Sequence, residues 1–125
     1  MSFHRTTILV VDDDSGAREV VAEIARVAGF DVRLAANGAE AFAMAVADTE
    51  LDAIVCDLVM PEMDGLELAN QVRRLRPDVA VLLMTGYQDR VDDVLRAGAV
   101  PLIKPFSAES FELAVRDAID AQVDE

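Results

Sequence analysis

The sequence is poor in cysteine and in positive charge. Its single cysteine, Cys56, excludes an internal disulfide and suits a reducing compartment. Only 11 basic residues stand against 24 acidic ones, and the net charge of −13 argues against direct contact with nucleic acid or an anionic membrane. No apolar run approaches the roughly 20 residues of a membrane span, and the first seven residues lack a signal-peptide core. We therefore expect a cytoplasmic protein whose charge suits a metal cation.

The remaining composition is that of an ordinary globular domain. With 125 residues, 53% of them hydrophobic, the chain suits one domain over 1–125 with a core from about 7 to 121. Short apolar runs predict five strands, namely Ile8–Val11, Val32–Ala35, Ala53–Cys56, Val79–Met84 and Leu102–Ile103. Helical periodicity predicts five helices, namely about Ser15–Ala28, about Ala39–Ala47, from near Gly65 to just before Pro77, about Asp89–Ala97, and about Ala108–Ala121.

Strict alternation of strands and helices indicates an α/β fold of the (βα)₅ type. Strands that are apolar throughout and separated by helices favour a parallel sheet covered on both faces. Right-handed crossovers leave a few strand orders open, among them the doubly wound order 2-1-3-4-5. Ligands of such sheets bind at the carboxyl ends of the strands, beside the point where the order reverses. That edge is where we look for functional side chains.

Polar side chains follow four of the five predicted strands. Asp12–Asp14 come after the first strand, Asp57 after the third, Thr85–Gly86 after the fourth and Lys104–Pro105 after the fifth. Two carboxylates 4 Å apart repel by about 4 kcal/mol at an effective dielectric of ~20, and a divalent cation removes that penalty. Oxygen ligands without His or Cys favour Mg²⁺. A carboxylate can also attack phosphorus to give an acyl phosphate, which needs charge neutralisation around it.

Each of these residues also has an ordinary structural explanation. An aspartate after a strand is often a turn former or a helix N-cap, and we assign that role to Asp14. A threonine at a strand end is common, and a lysine there is usually solvated. Four such coincidences at the expected ligand edge favour a functional site over chance.

Four segments carry a specific resemblance. They are Ile8–Asp14 (ILVVDDD), Val55–Gly65 (VCDLVMPEMDG), Leu83–Gly86 (LMTG) and Ile103–Phe106 (IKPF). In this order and spacing they resemble the receiver domain of bacterial response regulators, over essentially the whole chain. The resemblance implies a flavodoxin-like fold with the strand order 2-1-3-4-5. It also implies a phosphorylated signalling switch of a two-component phosphorelay, not an enzyme that turns over an external substrate.

The resemblance assigns the metal ligands by position. Asp57 matches the phosphoacceptor, which is also a metal ligand. Asp13 matches the direct acidic ligand, Asp12 its water-linked neighbour, and the Val59 backbone carbonyl a further ligand. The implied cofactor is Mg²⁺, with Mn²⁺ as an alternative.

The resemblance also assigns the groups around the phosphoryl group. Thr85 matches the switch hydroxyl and Lys104 the lysine that pairs with the phosphoryl oxygens, with a cis bond expected before Pro105. Val59 and Tyr87 match the positions that modulate access of water. The implied partners are a sensor histidine kinase or histidine phosphotransfer protein as donor and a downstream protein target, with no direct nucleic-acid or membrane contact.

One position departs from the family pattern. Receivers usually carry Tyr or Phe three residues before the strand-5 lysine, and this aromatic reports phosphorylation by swinging inward. Here the position is Pro101, and the stretch from Thr85 to Lys104 is a few residues shorter than usual, so we expect a short fourth helix. Tyr87 is a candidate substitute aromatic, or simply a cover for the mouth of the site.

Two other function classes stay open from the sequence. A phosphatase resembling the haloacid-dehalogenase group would use Asp12 and Asp14 as its D-x-D pair, although its final acidic motif is missing and the Asp57 motif stays unexplained. A binding module that is not phosphorylated is the third reading, which the complete acidic site disfavours. The sequence also leaves open whether the chain stands alone or belongs to a hybrid kinase or larger regulator.

Overall fold

Strands and helices alternate along the part of the chain that the structure describes, residues 5–60, 63–86 and 90–123. The strands are β1 (Thr7–Val11), β2 (Asp31–Ala35), β3 (Ala53–Asp57), β4 (Ala80–Thr85) and β5 (Val100–Ile103). The helices are α1 (Ser15–Val27), α2 (Gly38–Ala47), α3 (Gly65–Leu75), α4 (Val91–Arg96) and α5 (Ala108–Val123). This computed structural model confirms the predicted alternation, and every predicted element overlaps an observed one.

All five strands form one parallel sheet in the order β2-β1-β3-β4-β5. The central strand pair is β1 and β3, with Val11 opposite Cys56, and β2 adds to the other side of β1 with Ala35 opposite Val11. The predicted fold class and strand order are therefore confirmed. The order reverses between β1 and β3, so the ligand edge lies where these two strands end.

The central strands of the sheet are buried on both faces, which explains why β1, β3 and β4 are almost entirely apolar. Alternate residues of a strand point to opposite faces. In β1, Leu9 and Val11 join the core layer under α2, α3 and α4, whereas Ile8 and Val10 join the layer under α1 and α5. Neither face of these central strands favours a polar side chain until the strand ends, which is where Asp12 and Asp57 appear, whereas the edge strand β2 carries Asp31 and Arg33.

The fifth strand begins two residues earlier than predicted and includes Pro101. The Lys104 N–H donates to the Thr85 carbonyl at 2.9 Å, so alternate residues of β5 point their N–H groups towards β4. Pro101 is three residues before Lys104, so its backbone nitrogen points away from β4, to the outer side of this edge strand. Proline is tolerated there because no ladder hydrogen bond is lost.

The fourth helix is short, as the reduced spacing predicted. It covers six residues, and its predicted start at Asp89 lies outside the described residues. Val94 is its buried residue, and Arg73 of α3 donates to the Ala97 carbonyl at 3.1 Å at its end. Among the helices that the structure describes, none is both long and apolar enough to cross a membrane.

Candidate functional site

The candidate site lies at the carboxyl edge of the sheet. Asp12 and Asp13 follow β1, Asp57 is the last residue of β3, Thr85 is the last residue of β4, and Lys104 follows β5. Because the strands are parallel and in register, all five residues reach the same edge. The structure therefore brings together the side chains that the sequence pointed to.

Three carboxylates form a cluster beside the switch point. One carboxylate oxygen from each of Asp12, Asp13 and Asp57 lies within 4.8 Å of the other two. Asp12 is 2% exposed, Asp57 is partly buried and Asp13 is open to solvent. The cluster thus runs from the buried Asp12 to the solvent-exposed Asp13.

The position of Asp12 raises its pKa. Burial is the main cause, and repulsion from Asp57 and Asp13 acts in the same direction, whereas the Asp14 N–H and the Lys104 ammonium oppose them. A carboxyl with a raised folded-state pKa costs the folded state free energy, and this cost grows as pH rises from the ordinary value of 3.8 through the raised one. At neutral pH the site therefore works against folding and favours a bound cation.

The positive side chain of Lys104 faces the nucleophile candidate, Asp57. The Lys104 Nζ lies 3.5 Å from an Asp57 carboxylate oxygen, and the two side chains are 40% and 20% exposed. At this distance and exposure the pair contributes little to stability, and it leaves the ammonium able to engage another anion. The Lys104–Pro105 peptide bond is cis, as expected from the resemblance.

The loop between β3 and α3 holds Asp57 by main-chain contacts. The Leu58 N–H donates to the Met84 carbonyl, and the Gly65 N–H donates to the Leu58 carbonyl, both at 2.9 Å. A Cβ at Gly65 would lie only 2.9 Å from the Asp57 carbonyl oxygen and 3.0 Å from the Leu83 side chain. Only glycine therefore fits between the start of α3 and the end of β3.

Of the two positions expected to control water access, the structure describes Val59 but not Tyr87. Val59 follows Asp57 by two residues and is 60% exposed, so an apolar side chain stands beside the mouth of the site. Tyr87 lies outside the described residues. The role of the Val59 carbonyl as a metal ligand stays a prediction.

Two contacts near the site were not anticipated from the sequence. Arg18 of α1 donates to the Asp12 carbonyl at 2.8 Å. The thiol of the buried Cys56 donates to the Asp57 carbonyl at 3.2 Å, and burial raises the pKa of this thiol, which keeps it protonated. Both partners are main-chain oxygens, so no pattern of side chains signals these contacts. Asp14, by contrast, caps α1 as predicted, accepting from the Ala17 N–H at 3.3 Å.

Comparison with known proteins identifies the class. A family model described as the response regulator receiver domain matches residues 8–116. The chain therefore belongs to the response regulator receiver domain family. Members of this family are phosphoacceptor domains of two-component systems, and they act as signalling switches, not as classical enzymes.

Individual relatives agree with this assignment. The response regulator MprA of Mycobacterium sp. (strain KMS) is 38% identical over 112 residues, which cover 87% of this chain and 48% of that protein. The transcriptional regulatory protein ZraR of Klebsiella oxytoca is 35% identical over 122 residues, 95% of this chain and 27% of that protein. The solved structure of the response regulator protein TrrA from Thermotoga maritima, in complex with Mg²⁺–BeF, matches with a TM-score of 0.82 and 29% identity, covering 90% of this chain and 98% of that one. The chain thus spans between 27% and 48% of the length of these two curated relatives.

The fit at Gly65 gives a first prediction. Gly65→Ala should lower the free energy of unfolding by about 1–3 kcal/mol, because the added methyl group has no room against the Asp57 carbonyl. The matched control is Gly16→Ala in α1, where the nearest atom to a Cβ is 3.9 Å away and helix propensity should add about 0.5–1 kcal/mol. Urea unfolding measures both. Equal stability of Gly65→Ala and the parent would show that the loop yields easily.

Proposed function

We propose that the chain accepts a phosphoryl group on Asp57 from the phosphohistidine of a sensor histidine kinase or phosphotransfer protein. The reaction uses a Mg²⁺ ion held by Asp12, Asp13, Asp57 and the Val59 carbonyl. The observation that carries this proposal is the cluster of three carboxylate oxygens within 4.8 Å of one another, with the Lys104 ammonium 3.5 Å from Asp57. Positive charge beside the attacking carboxylate would offset its repulsion from the dianionic phosphoryl group of a phosphohistidine donor.

The donor set fits Mg²⁺. The donor atoms are carboxylate oxygens, with no His or Cys among them, and one of the three side chains is open to solvent. Mg²⁺ prefers such a site, because it usually binds a few carboxylates and keeps several of its water ligands. When bound, Mg²⁺ supplies positive charge that offsets the charge of the phosphoryl oxygens. The Thermotoga TrrA structure, in complex with Mg²⁺–BeF, supports the same assignment here. Mn²⁺ shares the preference for oxygen ligands and is the alternative ion.

Asp57 is the nucleophile in this proposal. One of its carboxylate oxygens forms the new bond to phosphorus while the bond from phosphorus to the donor imidazole breaks, and the departing imidazole nitrogen takes up a proton. Lys104 then moves its charge from the carboxylate to the phosphoryl oxygens. The Thr85 hydroxyl, at the end of the neighbouring strand, contacts the same group.

The phosphatase alternative is weaker on the geometry. It needs Asp12 as the nucleophile, yet Asp12 is 2% exposed and its Oδ1 already accepts from the Asp14 N–H at 3.0 Å. It also needs Asp14 as an acid, yet the Asp14 carboxylate caps α1. Asp57 is more exposed and faces the lysine, which favours the receiver chemistry. An unphosphorylated binding module would have no need of these groups together.

The proposal extends to partners and domain organisation. Residues 1–125 form a single receiver domain, and its output runs through protein–protein contact in the cytoplasm. The charge of −13 disfavours nucleic acid as a direct partner of this segment. Relatives such as ZraR are transcriptional regulators of greater length. If this chain is part of a longer protein, DNA would be bound by a separate effector region and not by this segment.

The nucleophile is tested by Asp57→Asn. Asn is nearly isosteric but cannot form an acyl phosphate, so labelling by acetyl phosphate with Mg²⁺ should disappear while the fold is kept. The control is Asp12→Asn, which should weaken labelling but leave the label on Asp57. Mass spectrometry of the intact and digested chain locates the modified aspartate. Full labelling of Asp57→Asn would contradict the proposal and revive the phosphatase alternative.

The metal site is tested by Asp13→Asn. Mg²⁺ binds the native arrangement, so at ten times its dissociation constant it should stabilise the parent by about 1.4 kcal/mol. Asp13→Asn should lose most of this gain, and without Mg²⁺ it should be more stable than the parent because repulsion is relieved. Asp14→Asn is the matched control, since it removes the same charge next door and Asn caps a helix equally well. Thermal unfolding with Mg²⁺ and with chelator measures both. An unchanged response in Asp13→Asn would remove Asp13 from the ligand set.

The lifetime of the phosphoryl group is tested at the mouth of the site. Water must attack in line, opposite the Asp57 oxygen, and neither Val59 nor Tyr87 carries an amide or carboxylate to orient it. Val59→Asn together with Tyr87→Glu should therefore speed dephosphorylation several-fold in Mg²⁺ buffer, with Val59→Asn alone intermediate. Val46→Asn, a similarly exposed valine on α2, is the control. Decay of the double variant at the parental rate would refute the water-access argument.

A further inference from the structure

Arg18 binds the main chain directly after β1, at the carbonyl of Asp12. The Asp12 N–H still donates to the Ala35 carbonyl of β2 at 3.3 Å, but β2 ends at Ala35. The next bond of the parallel ladder would be accepted by the Asp12 carbonyl. The Arg18 guanidinium takes that place with a bond of 2.8 Å.

Arg18 donates to a main-chain carbonyl, as Arg73 does at the Ala97 carbonyl and Arg76 does at the Ala45 carbonyl. Among the described residues, seven other arginines form ion pairs with Asp or Glu. Arg18 is half-buried, and its hydrogen bond goes to the main-chain carbonyl of Asp12, which is itself one of the three clustered aspartates. A charge-assisted bond of this kind is stronger than a neutral one, so it can hold a loop in place.

The loop that Arg18 holds carries two of the three clustered carboxylates. Its other fixed points are the bond from the Asp14 N–H to the Asp12 carboxylate at 3.0 Å and the bond from the Arg18 N–H to the Asp14 carbonyl at 2.9 Å. Repulsion between Asp12, Asp13 and Asp57 pushes this loop away from β3. The Arg18 side chain is the tie that spans the loop from α1 back to the end of β1.

We infer that Arg18 is a positioning residue, which holds the Asp12–Asp13 carboxylates in a cation-binding arrangement through the Asp12 carbonyl. The inference rests on the proposed function, because it concerns the Mg²⁺ site assigned there. Arg18 itself touches neither the ion nor the phosphoryl group in this account. Its effect is on the free energy of bringing the carboxylates together before the ion binds.

The sign of the effect separates this role from simple electrostatics. A positive charge near a cation site weakens cation binding, so removing Arg18 should tighten Mg²⁺ binding if charge alone matters. If Arg18 positions the loop, removing it should weaken Mg²⁺ binding in spite of the lost repulsion. Loss of a group that orients a metal ligand typically costs about 10–100-fold in affinity.

The test is a Mg²⁺ titration of the unphosphorylated full chain, in which binding is measured by calorimetry and by thermal unfolding. Arg18→Met should raise the dissociation constant about tenfold, the lower end of the range for ligand-orienting groups. Arg18→Lys keeps the charge and one donor and should fall between Arg18→Met and the parent. Arg26→Met removes the same charge from the far end of α1, where Arg26 pairs with Glu23, and should leave the dissociation constant unchanged.

A second readout does not depend on the ion. In metal-free protein, amide exchange at Asp13 and Asp14 should be faster in Arg18→Met than in Arg26→Met, and urea unfolding shows that both variants are folded. Unchanged or tighter Mg²⁺ binding by Arg18→Met, with a parent that binds Mg²⁺ normally, would overturn the inference and leave the proposed function intact. A parent that does not bind Mg²⁺ would contradict both.

Discussion

The repulsion among three carboxylates at the end of a buried sheet is the constraint on which this molecule depends. Asp12, Asp13 and Asp57 are brought within 4.8 Å by the adjacency of β1 and β3, and burial of Asp12 raises the free energy of its charged form. No local preference of the chain favours this arrangement. It persists because the apolar residues of both strands are buried on two faces of the sheet, so the hydrophobic effect fixes where the strands end.

The stored repulsion is also what makes the site responsive. A rigid neutral pocket would change little on binding a cation or a phosphoryl group, whereas a cluster of like charges changes its free energy strongly with either. Main-chain atoms beside the cluster are held by Arg18 at the Asp12 carbonyl, by Cys56 at the Asp57 carbonyl and by the bond from the Gly65 N–H to the Leu58 carbonyl. These three bonds hold the backbone and do not engage the carboxylate oxygens themselves.

The sequence was sufficient to predict the alternating elements and the edge at which the polar residues meet. Asp57 and Thr85 each end a long apolar run, and parallel strands must present such ends together. The start of β5 was missed because Pro101 reads as a breaker until its position on the outer side of an edge strand is known. Arg18 was missed because its partner is a carbonyl, and every residue has one. The bounds of α4 depended on tertiary contacts such as that of Arg73 with Ala97, which local periodicity does not encode.

The absence of an aromatic side chain at Pro101 constrains how a change at Asp57 can travel. The nearest aromatic after Lys104 in the sequence is Phe106, two residues further on. Phe106 packs on Phe111 with ring centroids 5.6 Å apart, and Phe111 packs edge-on against Phe30 at 6.1 Å. These rings belong to the core layer under α1 and α5, not to the outer side of β5. A displacement of Lys104 would therefore reach the α1–α5 layer first, because Phe106 packs there only two residues after Lys104.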